Sequence, residues 1–238
     1  MIGSAAQLFL TVPRLNRIPR LIHGFGTRHW KLSDFRKRAG WENFKIVWLK
    51  QVHTDRVHFI EAAPTRRLQG DALATDKPGI FLIMKTADCL PVFLVDPSKR
   101  VVAAVHCGWR GTRRRILEHV VDGLHVRYGC RPASLLAVLG PCIAASCYEV
   151  GDEVRDEYRA AGLAGDVFRP SGGRPGKYLF DLREANRRQL IGSGLDGRRV
   201  LDVSLCTHCD AQLHSYRRDR DTSARLFNFI GLKQIESS

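Results

Sequence analysis

Three residues of this chain could together do metal chemistry. His53 stands in KQVHTD, Cys89 in TADCLPVFLVD, and His106 ends the run VVAAVH. A thiolate and two imidazoles make a soft, open donor set suited to zinc or copper. The spacings match no short motif such as HExxH or CxxC, so the signal lies in the setting of each residue. Cys89 follows Asp88 and precedes Leu90-Pro91. Proline pushes its predecessor towards extended backbone, which sets Cys89 at a loop-to-strand transition. Ligation or a nearby cation would ionise its thiol, and Asp88 is placed to orient a histidine or a water. After His106 comes Cys107-Gly108-Trp109-Arg110-Gly111. The glycines permit a tight turn, Trp109 could wall a pocket, and Arg110 could grip a carboxylate or phosphate bidentately. Each residue also has a plain structural reading: His53, His58 and His106 as hydrogen-bonded structural histidines, Cys89 and Trp109 as core.

Short apolar runs must position these residues. Ile46–Leu49 and Arg56–Glu61 are strand candidates that flank the turn carrying His53. RRLQGDALAT reads as a loop entering the core at Ala72 and Leu73. Gly79–Lys85, Pro91–Val95 and Val101–Val105 are nearly unalternated, the pattern of strands covered on both faces. From Thr112 a helical period sets in, with Ile116, Val120 and Leu124 on one stripe and Leu117 and Val121 beside it. The helix should end near Tyr128-Gly129. Leu135–Leu139 is the next strand. GDEVRDEYRAAG predicts a short helix with Asp152 and Glu153 at its positive end. Residues 162–177, with SGGRPG, read as a surface loop. Asp181 caps an amphipathic helix running to Ile191, Val200–Leu205 is a strand, and Phe227, Phe229 and Ile230 form a last alternating segment. The tail from Gln234 should fray. With no internal repeat and no flexible linker, residues 1–238 read as one α+β domain.

Composition narrows the class. At 44% hydrophobic and 26% charged, the chain has the make-up of a globular protein. It has no apolar stretch of about 18 residues, so no membrane span is expected. The N-terminal segment has no basic residue before its apolar patch, which argues against a secretory leader. Arg14, Arg17 and Arg20 leave a presequence open, and an N-terminal strand is the simpler expectation. The net charge of +14 favours anionic ligands. Phosphate-bearing small molecules fit better than nucleic acid, because the chain lacks C2H2 spacing, an RNP-type strand pair and a long basic helix. Seven cysteines, an odd number, point to a reduced, cytoplasmic protein rather than a disulfide framework. Cys206 and Cys209 form a single CxxC, which leaves open half of a zinc site, a redox pair or a half-buried structural pair.

The segments QVHTDRV, GDALAT, KTADCLPVFLVDP, VVAAVHCGWRGT, GPCIAASCYEVGDEV, FDLREANRRQL, CTHCD and LHSYRRDRDTSARLFNFI occur in that order. From about residue 20 to residue 231 the chain resembles one bacterial family. Its members are named multicopper polyphenol oxidases or laccase-like proteins, peptidoglycan editing factors, and purine nucleoside phosphorylases with adenosine deaminase activity. The resemblance implies a layered α/β/β/α arrangement with mixed sheets, like the catalytic domain of cytotoxic necrotizing factor toxins. It also implies a metal triad on His53, Cys89 and His106. Two departures are local: Cys107 stands where the family commonly has Ala, and Ser223-Ala224 replaces its usual Thr-Gly. A laccase needs many histidine ligands, and nine histidines without HxH spacing do not supply them. One zinc with an open position suits water or substrate activation better.

The expected reaction is phosphorolysis of adenosine, inosine, guanosine or methylthioadenosine, with adenosine deamination beside it. Cys89, His106 and Asp88 are the expected catalytic groups. Arg110 and Arg217, with Trp109, are expected to hold phosphate and substrate. Competing expectations are a peptidoglycan-precursor editing hydrolase, a copper-dependent polyphenol oxidase, and a non-enzymatic protein with Cys107 as fourth zinc ligand. The partners expected are small molecules, and the chain is expected to be a monomer.

Overall fold

The computed structural model describes residues 7–234. The first part of the N-terminal segment and the tail from residue 235, on which a leader and fraying were considered, lie outside the described residues. Fourteen strands run β1 Phe9–Leu10, β2 Leu21–Gly26, β3 Lys45–Trp48, β4 Val57–Phe59, β5 Ala72–Thr75, β6 Ile80–Thr86, β7 Leu90–Asp96, β8 Val101–Cys107, β9 Leu136–Leu139, β10 Glu149–Gly151, β11 Phe168–Pro170, β12 Lys177–Phe180, β13 Val200–Asp202 and β14 Leu226–Leu232. The helices are α1 Pro13–Asn16, α2 Trp109–Arg113, α3 Ile116–Tyr128, α4 Asp152–Ala160, α5 Leu182–Gly192 and α6 Tyr216–Asp219.

Two large mixed sheets result. One has the order β13-β9-β7-β8-β5-β4, the other β1-β2-β14-β6-β3, and a small sheet β10-β12-β11 stands apart. Side-chain alternation explains the layering. Along β8, Val101, Ala103, Val105 and Cys107 join a core with Ile116, Val120 and Leu124 of α3 and Leu182 and Leu190 of α5. Val102 and Ala104 point the other way, into a second core with Leu82 and Met84 of β6 and Ile230 of β14. Phe81, Ile83 and Phe229, on the far face of the second sheet, are covered by Trp30, Phe35 and Trp41. Both faces of β6, β7 and β8 are therefore buried, which is why their sequences hardly alternate. The architecture is α+β, with helices outside one sheet and the two sheets packed face to face. No helix among the described residues is long and apolar enough to cross a membrane.

Three expectations on the elements need correcting. The helix from Thr112 is two helices, because Arg115 adopts a left-handed backbone (φ 60°) between α2 and α3. Residues 162–177 contain β11, which pairs with β12. The strand from Val200 stops at Asp202. Where the helical period ends, Gly129 takes φ 65° and its N–H caps the carbonyls of Leu124 and His125. Asp181 caps α5 through the amide of Glu184.

Candidate metal centre

The chain crosses from the second sheet to the first twice, between β3 and β4 and between β6 and β7, and both crossings meet the end of β8. His53 lies in the first crossing and Cys89 in the second. His106 is the next-to-last residue of β8, on the same face as Val102 and Ala104, opposite Pro91 in the β7–β8 register. Residues far apart in sequence thus converge at one end of the sandwich. The donor atoms of His53, Cys89 and His106 all lie within 4.8 Å of one another. Cys89 Sγ is 4.0 Å from His53 Nε2, and the two imidazole centroids are 4.9 Å apart. His106 is buried, Cys89 half-buried and His53 exposed. One side of the group is therefore open.

Asp71, which precedes β5, organises the centre and was not singled out from the sequence. Its Oδ1 accepts from His106 Nδ1 at 2.8 Å and from the His53 amide at 3.1 Å. Its Oδ2 accepts from the Thr54 amide at 2.7 Å and the Thr54 hydroxyl at 2.9 Å. The Nδ1 contact leaves His106 Nε2 for a ligand, the arrangement by which carboxylates orient metal-binding histidines. His53 has φ 59°. A left-handed non-glycine residue costs about 1–3 kcal/mol, and the bonds to Asp71 offset that strain. The only available signal in the sequence was an acid beside the mouth of an apolar run, the same signal that marked Cys89.

Asp88, expected to orient a histidine or water, bonds two later segments of the chain. Its Oδ1 accepts from the Thr207 hydroxyl at 2.6 Å and its Oδ2 from the Arg217 amide at 2.6 Å. The carboxylate instead pins two later loops against the Cys89 turn. Cys107 cannot be a fourth ligand, because strand alternation turns it into the helix-side core, away from His106. His58 bonds the Gln69 carbonyl and is structural.

Electrostatics inside the centre are coupled. Burial opposes ionisation of Cys89, but the adjacent His106 and His53 outweigh it and draw the thiol below its ordinary range. Burial likewise opposes protonation of His106, and the Cys89 sulfur and Asp71 carboxylate overcome it and hold the imidazole's pKa up. Each of the two groups thus favours the charged form of the other.

Gly108 serves close approach rather than a turn conformation. Its φ is −79°, which any residue adopts. A Cβ there would lie 2.8 Å from His53 Cδ2 and 3.2 Å from Cys89 Sγ. The position is fixed from behind: Thr112 donates its amide to the Gly108 carbonyl, and Gln189 and Asn186 of α5 bond Thr112. Gly108→Ala should therefore lower zinc affinity by about 10–100-fold, the range typical when support of a ligand is lost, while the fold stays intact. A competition titration with a chromophoric chelator measures this, and unchanged affinity would contradict it.

A cavity of about 530 Å³ opens over the centre and is lined by His53, Cys89 and His106 together with Lys50, Arg67, Lys85, Arg225 and Tyr216. Among the described residues none of these four cations is ion-paired. Burial, then the like charges of Arg67 and Arg225, push the Lys85 ammonium below its usual range. Arg110 and Arg217 do not reach this cavity. They line a neighbouring one of about 390 Å³ with Trp109 and Tyr148. There Arg110 lies 4.2 Å over the Trp109 ring, and Arg217 donates to the Glu149 carbonyl and lies 5.4 Å over Tyr148.

A family model described as multi-copper polyphenol oxidoreductase laccase matches residues 31–233. The chain belongs to this family. Among its relatives, a purine nucleoside phosphorylase of Deinococcus radiodurans is 40% identical over 79% of this chain and 70% of that protein. Adenosine deaminase RL5, from an unknown prokaryotic organism, is 34% identical over 78% of this chain and 74% of its own. The crystal structure of the Bacillus licheniformis protein YfiH superposes with a TM-score of 0.83 at 31% identity, covering 91% of this chain and 94% of that one. The described residues hold two groups able to take a metal, His53/Cys89/His106 and Cys147/His208/Cys209, and neither offers more than two histidines. The histidine-rich cluster of a multicopper oxidase is not assembled among the described residues.

Proposed function

We propose that the protein is a zinc-dependent purine nucleoside phosphorylase that also deaminates adenosine. The observation that carries this reading is the shared cavity, in which an open His2Cys donor set faces four cations without carboxylate partners. A lone catalytic metal needs only the first. A phosphate co-substrate needs the second, since guanidinium and ammonium groups bind phosphate through charge-assisted hydrogen bonds. The names of the relatives fit the same substrates.

His53, Cys89 and His106 would hold the zinc, and soft sulfur with two nitrogens suits it. When bound, it supplies a Lewis acid beside the substrate. Asp71 keeps the His106 ring in place. Tyr216, 44% exposed at the cavity wall, offers a face for a purine. We place phosphate at Lys50, Arg67, Lys85 and Arg225 rather than at Arg110 and Arg217, because the first four line the same cavity as the His2Cys donor set and the latter two line a different one. A reduced, cytoplasmic enzyme accords with the cysteine usage, and we take it to act as a monomer.

A screen of nucleosides with zinc-loaded protein tests the reading. Inosine, guanosine and adenosine should release their bases when phosphate is present, and adenosine should also yield inosine. Zinc-loaded protein that releases no base from any purine nucleoside would overturn it. Within that assay, Lys85→Met should raise the phosphate concentration for half-maximal rate by at least about tenfold, the cost of one charge-assisted hydrogen bond. Arg110→Ala should change it by less than about twofold. The reverse order would return phosphate to the Arg110 cavity.

A further inference from the structure

The CxxC of Cys206 and Cys209 has no second CxxC in the sequence, yet the fold completes it from elsewhere. The short 3-10 helix Ala145–Cys147 lies against the turn formed by residues 206–209. Cys147 Sγ is 3.4 Å from Cys209 Sγ, and a ring nitrogen of His208 lies within 4.8 Å of both sulfurs. A disulfide would bring the sulfurs to about 2.05 Å. Two thiolates bound at about 2.3 Å to one tetrahedral zinc stand roughly 3.7 Å apart, close to the separation seen. The turn is not a helix start, which a redox CxxC would want.

The donors are held from outside the group. Cys206 Sγ accepts from the Ala144 amide at 3.2 Å, and an isolated bridge pairs Cys142 with Cys206. The Arg218 guanidinium bonds the carbonyls of Thr207, His208 and Asp210. These contacts shape the turn without using Cys147, Cys209 or the His208 ring. Those three side chains are half-buried or exposed, so an ion can reach them.

We propose that Cys147, His208 and Cys209 form a second soft-metal site that takes one zinc ion, with its fourth position open to solvent. It clamps the loop after β9 to the loop after β13. Both loops also hang on the Cys89 turn, through the Ile143 amide on the Asp88 carbonyl and the Thr207 hydroxyl on the Asp88 carboxylate. The clamp is therefore structural, and it does not depend on which reaction the first centre performs.

The test is zinc content of the full chain, purified under reductant, stripped with chelator, reloaded with zinc and desalted. The unmodified protein should hold one more zinc per chain than the Cys147→Ser/Cys209→Ser variant, and His208→Ala should lose the same ion. Cys89→Ser should keep it. Zinc should also shield Cys147 and Cys209, but not the double variant's remaining thiols beyond the first centre, from alkylation read by mass spectrometry. Equal zinc in the double variant and the parent would overturn the proposal. So would alkylation of Cys147 and Cys209 at the metal-free rate in loaded protein, or a Cys147–Cys209 disulfide that persists through zinc loading under reductant. Because Cys209 is exposed and Cys147 half-buried, the shielding measurement on unmodified protein decides the matter even if a variant folds poorly.

Discussion

Cys89→Ala is expected to reduce turnover by more than about 100-fold, and to remove the metal from the first centre. Loss of a supporting residue behind a ligand already costs about 10–100-fold, and Cys89 would be a ligand itself. The residue sits in the crossing between β6 and β7, half-buried, rather than in either main core. Its removal empties little apolar volume. The thermal transition of the metal-free variant should therefore match that of metal-free parent protein, and only the stabilisation by zinc binding should vanish. Metal content, turnover and melting are measured together. Lost activity with a collapsed transition would make Cys89 a structural residue, and full activity with bound zinc would remove it from the reaction.

Asp71→Asn should produce the second largest effect, again about 10–100-fold in zinc affinity. Asparagine keeps the size but offers one acceptor oxygen where the carboxylate uses two, to the His106 ring, the His53 and Thr54 amides and the Thr54 hydroxyl. One buried donor at least loses its partner, at about 1–3 kcal/mol. The pH dependence follows from the Asp71 carboxyl. Burial would raise its pKa, but the contacts from His106 and Thr54 outweigh burial and hold it at about 2. A depressed carboxylate contributes stability that is present above the unfolded pKa of about 3.9 and is lost as pH falls towards 2. Metal-free parent protein should thus lose stability between about pH 4 and 2 by a component that Asp71→Asn lacks. Parallel acid-unfolding curves for the two proteins would rule out this role.

The triad was legible in the sequence because each member stood at the mouth of an apolar run, and the crossings between sheets bring those mouths together. The doubly buried strands were legible for a related reason, since covered faces leave no alternation. The four cations that line the cavity over the centre were not. Lys50, Arg67, Lys85 and Arg225 come from four separate segments among 38 lysines and arginines, and nothing in their spacing tells that they share a cavity. Arg110 looked better placed because it follows His106 closely, yet α2 turns it onto Trp109. Asp88 sat next to a ligand and Asp71 did not, but hydrogen bonding across the β5–β8 edge chose Asp71. Cys147 was invisible as a partner of the CxxC for the same reason: its approach to Cys209 depends on the pairing of Cys142 with Cys206 across 64 residues of chain.

The most direct test of zinc-dependent phosphorolysis is the fate of the sugar when zinc-loaded protein turns over inosine at varied phosphate. Ribose 1-phosphate should form in step with hypoxanthine, at a rate that saturates with phosphate and falls away when the metal is stripped. Free ribose released at the same rate without phosphate, or turnover undiminished in metal-free protein, would contradict it.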